Sequence, residues 1–319
     1  MFDILSTIAP IFILIALGYV ATRSGLMPRD MVPGLGRLVL YFTFPALVFS
    51  TLLRVNVTEI IVPEFLLVYG LGSFLTFTLG LFISRYWSRQ QSVAGGIKAL
   101  GMSLPNSAFI GYPVLMQVFH EAPAVAFSMA LMIENIVIFP LAMTVVEYSS
   151  GQQQAGKSLL QIWSTVIKRV LRNPIILSIA AGLLASLVSL QLPEAVDRSL
   201  QMLSSASIAV ALFYIGGTLV GSPVRANRQE MSIVVIGKLL LHPLLVILLV
   251  WLLPDFDRKL QLSAILLAAM PMMTMYPVIG SSFGYQKFCA TTLLVTTVIS
   301  FISISILLLL LISLAGLQI

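Results

Sequence analysis

A single cysteine, Cys289, stands among 319 residues, so no intramolecular disulfide can form and no cluster of thiolates can hold a metal. The two histidines lie far apart with no cysteine partner, which removes the usual zinc patterns. No His-Glu-x-x-His helix occurs, so a zinc hydrolase has no visible metal site. Charged side chains make up only 9% of the chain, too few to cover the surface of a soluble domain. No enzyme activity and no cofactor are expected. The net charge of +6 does not point to nucleic acid, because the basic residues stand singly at the ends of apolar stretches and form no stripe.

What the chain does have is apolar length. Hydrophobic residues make up 59% of it and the mean hydropathy is +1.03, values that place it in a bilayer. A hydrocarbon core about 30 Å thick takes roughly 20 helical residues to cross. Ten windows of that kind are expected, over residues 3–22, 35–53, 62–84, 95–118, 123–147, 173–191, 199–220, 232–253, 260–283 and 287–315. The start, MFDILSTIAPIF, lacks the basic opening of a cleaved signal and is read as the first span, retained.

Alternating the joints between two sides puts all the Lys and Arg on one side except Arg54, Arg198, Arg258 and Lys259. Basic loops stay in the cytoplasm, so both termini are expected outside and the 149–172 joint inside, in the plasma or inner membrane of the cell. That joint, with SSGQQQAGKS, is the one stretch that reads as a linker. It separates a first five-helix repeat (1–148) from a second (173–319). An odd number of crossings in each makes the repeats inverted, so the expected fold is an all-α membrane protein of two inverted five-helix halves.

The fourth window of each half carries a matching interruption. LPNSAFIGYPV runs from Leu104 to Val114, and MPMMTMYPV from Met270 to Val278. Proline removes a backbone donor and crowds the carbonyl four residues back, and a bare polar group in hydrocarbon costs several kcal/mol. Paired breaks at Pro105 with Pro113, and at Pro271 with Pro277, therefore point to a covered polar site at mid-membrane, as in secondary transporters. Half-helix N-termini meeting there would suit an anion.

Several side chains are candidates to line that site: Asn106, which also suits the backbone opened by Pro105, and Ser107, Tyr112, Thr274 and Tyr276. Met272, Met273 and Met275 add apolar lining. Ionisable groups inside a membrane are functional candidates by default. Glu134, with Asn135 beside it, and His242, one turn beyond Lys238, are the candidates for ion or proton coupling. Gly217 and Gly221 form a small-residue pair suited to close helix contact at a dimer interface.

LPNS with Gly111 and Pro113 resembles the fourth helix of the auxin efflux carrier family. Further landmarks follow in family order: FPALVF (Phe44 to Phe49), RNP (Arg172 to Pro174), ALFYIGGTL (Ala211 to Leu219), KLLLHP (Lys238 to Pro243), AAMP (Ala268 to Pro271), and a Ser/Thr-rich stretch from Thr291 to Ser300. The resemblance implies a ten-helix carrier whose helices 4 and 9 break and cross at the substrate site. It implies a scaffold of helices 1, 2, 6 and 7 that forms a homodimer, with helices 3–5 and 8–10 moving as an elevator. It implies a small organic anion as substrate, either a dicarboxylate such as malate or malonate or an aromatic acid such as indole-3-acetate. Separately from the resemblance, the intramembrane Glu134 and His242 lead us to expect a proton, or else sodium, as coupling ion. The short linker resembles that of compact bacterial members. A ligand-binding sensor that keeps the transporter fold is the alternative.

Overall fold

A computed structural model describes residues 2–54, 61–88, 92–119, 123–151, 164, 167–168, 171–221 and 228–315. Among these the chain is helical throughout, without a named strand. The principal helices are α1 (Phe2–Arg23), α2 (Arg29–Leu53), α3 (Pro63–Ser88), α4 (Ser92–Ser103), α5 (Ser107–Phe119) and α6 (Ala124–Ser150) in the first half. The second half holds α7 (Pro174–Leu187), α8 (Glu194–Thr218), α9 (Arg228–Leu252), α10 (Arg258–Ala269), α11 (Tyr276–Ser281) and α12 (Gln286–Ala315). Six of them, α2, α3, α6, α8, α9 and α12, are long and apolar enough to cross a membrane. The windows expected at 95–118 and 260–283 are each split in two, as α4 with α5 and α10 with α11.

Most of the linker expected over 149–172 lies outside the described residues, although helix continues from α6 to Gly151. Within it, Gly151 to Ser158 spells Gly-x-x-x-x-Gly-Lys-Ser, the spacing of a phosphate-binding loop. Such a loop needs a strand in front of it, whereas this stretch follows a membrane helix. The match after Gly151 lies outside the described residues and rests on spacing alone.

The helices sort into two packed groups. In the first, α1 lies along α8, and α2 packs on α7 and α8. The α1–α8 contact is backbone-close because both helices present glycine. A Cβ on Gly18 would sit 2.0 Å from the Phe213 carbonyl oxygen, and one on Gly216 would sit 1.9 Å from that of Ile15. Gly217 faces Thr22 and Val32, so the small-residue face expected at a dimer interface is occupied by the same chain. In the second group, α3 packs on α4, α9 and α10, α4 on α6, and α11 on α12.

Four helices widen by one π-helical turn, and each widening ends just before an X-Pro pair. The turns are Val39–Thr43 before Pro45, Ser107–Gly111 before Pro113, Ile133–Ile138 before Pro140, and Gly237–Leu241 before Pro243. In each, the residue preceding proline donates five residues back, as from His242 to the Gly237 carbonyl. The proline ring would clash with the carbonyl four residues earlier, and the wider turn relieves that clash without ending the helix. Ser107, Glu134 and Lys238 all lie in these turns, which ties the proline pattern to the functional site.

Candidate functional site

The two interruptions repair each other. Leu104 to Asn106 and Met270 to Met273 run antiparallel, with Pro105 opposite Met272. The Asn106 amide donates to the Pro271 carbonyl at 2.7 Å, and the Met273 amide to the Leu104 carbonyl at 3.1 Å. Backbone groups released by the two breaks thus find partners in protein, which is the condition for irregular chain at membrane depth. Pro271 contributes its carbonyl. Pro277 lies at the start of α11, where the ring fits a first turn, and Pro113 lies within α5 behind its π turn.

Asn106 holds the crossing together with its side chain. Its Oδ1 accepts the Phe109 amide at 3.3 Å and so caps α5, while its Nδ2 donates to Thr274 Oγ1 at 2.7 Å. The halves that begin at the crossing are unequal: α11 has only six residues, so its dipole is slight beside that of α5.

Beside the crossing is a cavity of about 770 Å³. Pro105, Asn106, Ser107, Phe109, Met273, Thr274 and Met275 form its inner wall, together with Glu134, Asn135 and Asn173. Toward the linker its wall includes Glu147, Lys168 and Arg172, and both basic residues are exposed. Of the residues expected to line a site, Tyr112, Pro113, Pro271, Met272, Tyr276 and Pro277 lie outside this wall. Tyr112 packs on Phe127 at 4.7 Å between ring centroids, and Tyr276 is buried against Gly101. Their apolar bodies fill the core around the crossing.

Behind the cavity wall lies a buried polar cluster. Tyr69 Oη and Ser107 Oγ each donate to Glu134 Oε1 at 2.5 Å. Asn135 does not share these bonds, since its Nδ2 donates to the Leu131 carbonyl and its Oδ1 accepts from Asn173 Nδ2. A residue and its helical neighbour point about 100° apart, so Glu134 and Asn135 meet different partners. Lys238 Nζ lies 2.7 Å from His242 Nδ1 and donates to the Ala268 carbonyl at 2.7 Å. His242 Nε2 is 3.1 Å from Ser73 Oγ. A lysine that donates to Nδ1 requires the tautomer with its proton on Nε2, which then donates a hydrogen bond to Ser73 Oγ.

Lys238 and His242 have no exposed surface. Lys238 and Glu134 are near enough to attract each other, which offsets part of the cost of burying each charge. Sequence reading places Lys238, with Lys98, among the loop-end cations. Both are buried instead, and Lys98 pairs with Glu230 at 3.1 Å. Tyr69, Ser73 and Lys238 are the functional candidates missed from sequence. Two hydroxyl residues in an apolar helix give no signal, but Lys238 stands five residues before Pro243, inside a π turn that the proline foretells.

Gly280 to Gly284 spells Gly-x-Ser-x-Gly, the pattern of a hydrolase nucleophile turn. Here it ends helix α11 rather than a strand, and the neighbouring Ser281 Oγ is tied to the Val278 carbonyl at 2.7 Å. His242 is engaged with Lys238 and Ser73 and so does not pair with the serine of this pattern.

A family described as membrane transport protein matches residues 3–308 of the chain. The chain belongs to that family. Among its curated relatives is a Rhizobium meliloti (strain 1021) protein named "Putative malonate transporter", 29% identical over 305 residues that cover 94% of this chain and 93% of the relative. The Escherichia coli (strain K12) protein named "Uncharacterized transporter YfdV" is 24% identical over 92% of both chains. "Auxin efflux carrier component 8" of Arabidopsis thaliana is 21% identical, covering 77% of this chain and 80% of its own. Its several apolar helices and its transporter relatives make it a multi-pass membrane protein of a transport family.

Proposed function

We propose that the protein is a secondary carrier of a small organic anion, a dicarboxylate of malonate size, working by alternating access. The observation that carries this reading is the cavity on the paired helix breaks, walled by Asn106, Ser107 and Thr274 and rimmed by Lys168 and Arg172. The two cations at the mouth outnumber its one carboxylate, Glu147, and so draw in an anion, while amide and hydroxyl donors inside replace its water. The Rhizobium relative's name supports a dicarboxylate. Two inverted repeats, 1–148 and 173–319, joined by 149–172, account for the paired breaks. The cavity then opens to the cytoplasm, with both termini outside, and the α1, α2, α7, α8 group serves as a frame along which the second group slides as an elevator, within a homodimer.

A proton couples to the anion through Glu134 or His242, both buried in the polar cluster beside the crossing. Counterflow of malonate in proteoliposomes tests the carrier: sustained exchange that fails with Asn106→Ala supports it. Equal uptake with and without a pH gradient, together with an unimpaired Glu134→Gln, removes the proton. A receptor reading has one observation in its favour, a relative named "Lysosomal cholesterol signaling protein" from Mus musculus. That match is 24% identical over 73% of this chain but covers only 28% of the relative. Saturable binding without counterflow selects it.

A further inference from the structure

Lys238 is placed where a coupling cation belongs. The last carbonyls of a helix that stops inside a membrane carry partial negative charge and need a partner. In secondary transporters, such half-helix C-terminal ends and unwound carbonyls coordinate sodium. The half-helix α10 ends at Ala269, directly before the break. Its Ala268 carbonyl accepts Lys238 Nζ at 2.7 Å.

Three more carbonyls at the two breaks are also taken by protein donors. Leu267 accepts the Met270 amide, Pro271 the Asn106 amide, and Leu104 the Met273 amide. The acidic group that would face a bound sodium ion, Glu134, is joined to the same cluster through Tyr69, whose ring centroid lies 6.4 Å from that of His242. A neutral ring nitrogen, His242 Nδ1, completes the surroundings at 2.7 Å. An ammonium is a compact point charge with three donors, so it can do for these oxygens what a metal cation does.

We propose that Lys238 is a built-in cation that takes the place of a coupling sodium ion, so that the protein's conformational cycle is independent of sodium. This rests on the carrier reading for its meaning but not for its test. The position of Lys238, inside a π turn of α9 held by Pro243, fixes the ammonium to the second helical group. The charge therefore travels with the crossing in every state of the cycle and never has to be loaded from solution.

Thermal unfolding of the detergent-purified protein in NaCl, KCl and choline chloride at equal ionic strength is the deciding measurement, and it uses no solute. Wild-type protein is expected to unfold at the same temperature in all three salts. Lys238→Ala, which frees the Ala268 carbonyl and the Glu134 carboxylate, is expected to unfold earlier in choline. It should recover by about 3 °C in sodium at ten times its Kd, in a saturable manner. A merely structural lysine would lose stability equally in every salt. Should Lys238→Ala not yield folded protein, Lys238→Gln, which keeps a donor for Ala268 but no charge, carries the same comparison.

A saturable sodium-specific rise in the wild type overturns the proposal, as does a neutral variant that responds to no cation. In proteoliposomes, malonate uptake unchanged when choline replaces sodium supports it, and uptake that collapses overturns it. Absence of malonate uptake in every medium speaks against the substrate reading alone, because the salt comparison stands without it.

Discussion

The two helical groups of this protein bury polar atoms in opposite ways. In the α1, α2, α7, α8 group, the buried polar side chains are the hydroxyls of Thr22, Thr43, Ser50, Ser178 and Ser207. The group holds together by close backbone approach at Gly18 and Gly216. In the other group lie the charges buried among the described residues, Lys98, Glu134 and Lys238, with His242. It also contains three of the four π turns and both helix breaks. Lipid supplies no hydrophobic drive between helices, so the first group depends on van der Waals fit and the second on satisfied polar partners. A glycine-packed frame resists deformation, while a polar, bulged body keeps its parts together as a unit. That division is what the proposed sliding mechanism would require.

Substitutions can break the contrast in order of severity. Glu134→Leu removes the acceptor of Tyr69 and Ser107 and strands the Lys238 charge, so a loss of about 3–5 kcal/mol is expected, with transport abolished. Thermal unfolding that matches wild type would mean Lys238 has another partner. Gly216→Ala drives a methyl into the Ile15 carbonyl and should cost about 2–3 kcal/mol by separating α1 from α8. A smaller loss than that of Glu134→Leu sharpens the contrast, and a larger one makes the frame the more fragile group.

Asn106→Ala removes the cap of α5 and the bond to Thr274, at about 1–2 kcal/mol. Its larger expected effect is on malonate affinity measured by thermal shift, and unchanged affinity would take Asn106 out of the site. Least of all, Arg54→Ala cuts an exposed ion pair with Asp197 at 3.2 Å and should shift stability by less than about 0.5 kcal/mol.

Much of the site was legible because prolines in apolar windows have few ways to survive. Pro105 and Pro271 announce the breaks, and Asn106 and Thr274 follow directly. Glu134 stands out as a carboxylate in an apolar helix. Tyr112 and Tyr276 were equally plausible by spacing, yet they turn into the core, because the cavity wall follows the direction of side chains and not their distance from a proline. Lys98 and Lys238 read as loop residues for a related cause: hydropathy averages over a window and cannot see a single cation drawn inward by Glu230 or by Glu134 and the Ala268 carbonyl.

By itself the sequence determined that the chain lives in a bilayer, that it is helical, and that two of its windows are interrupted, since each follows from local chemistry: apolar length, hydrogen bonding without water, and a ring that lacks an amide proton. Only the tertiary structure decided that the interruptions donate to each other, that the Gly216 face is used within the chain, and that Lys238 lies on the end of α10. Those are meetings of residues 30 to 200 positions apart in the chain by rough count, and no local rule fixes which distant backbone will supply a missing partner.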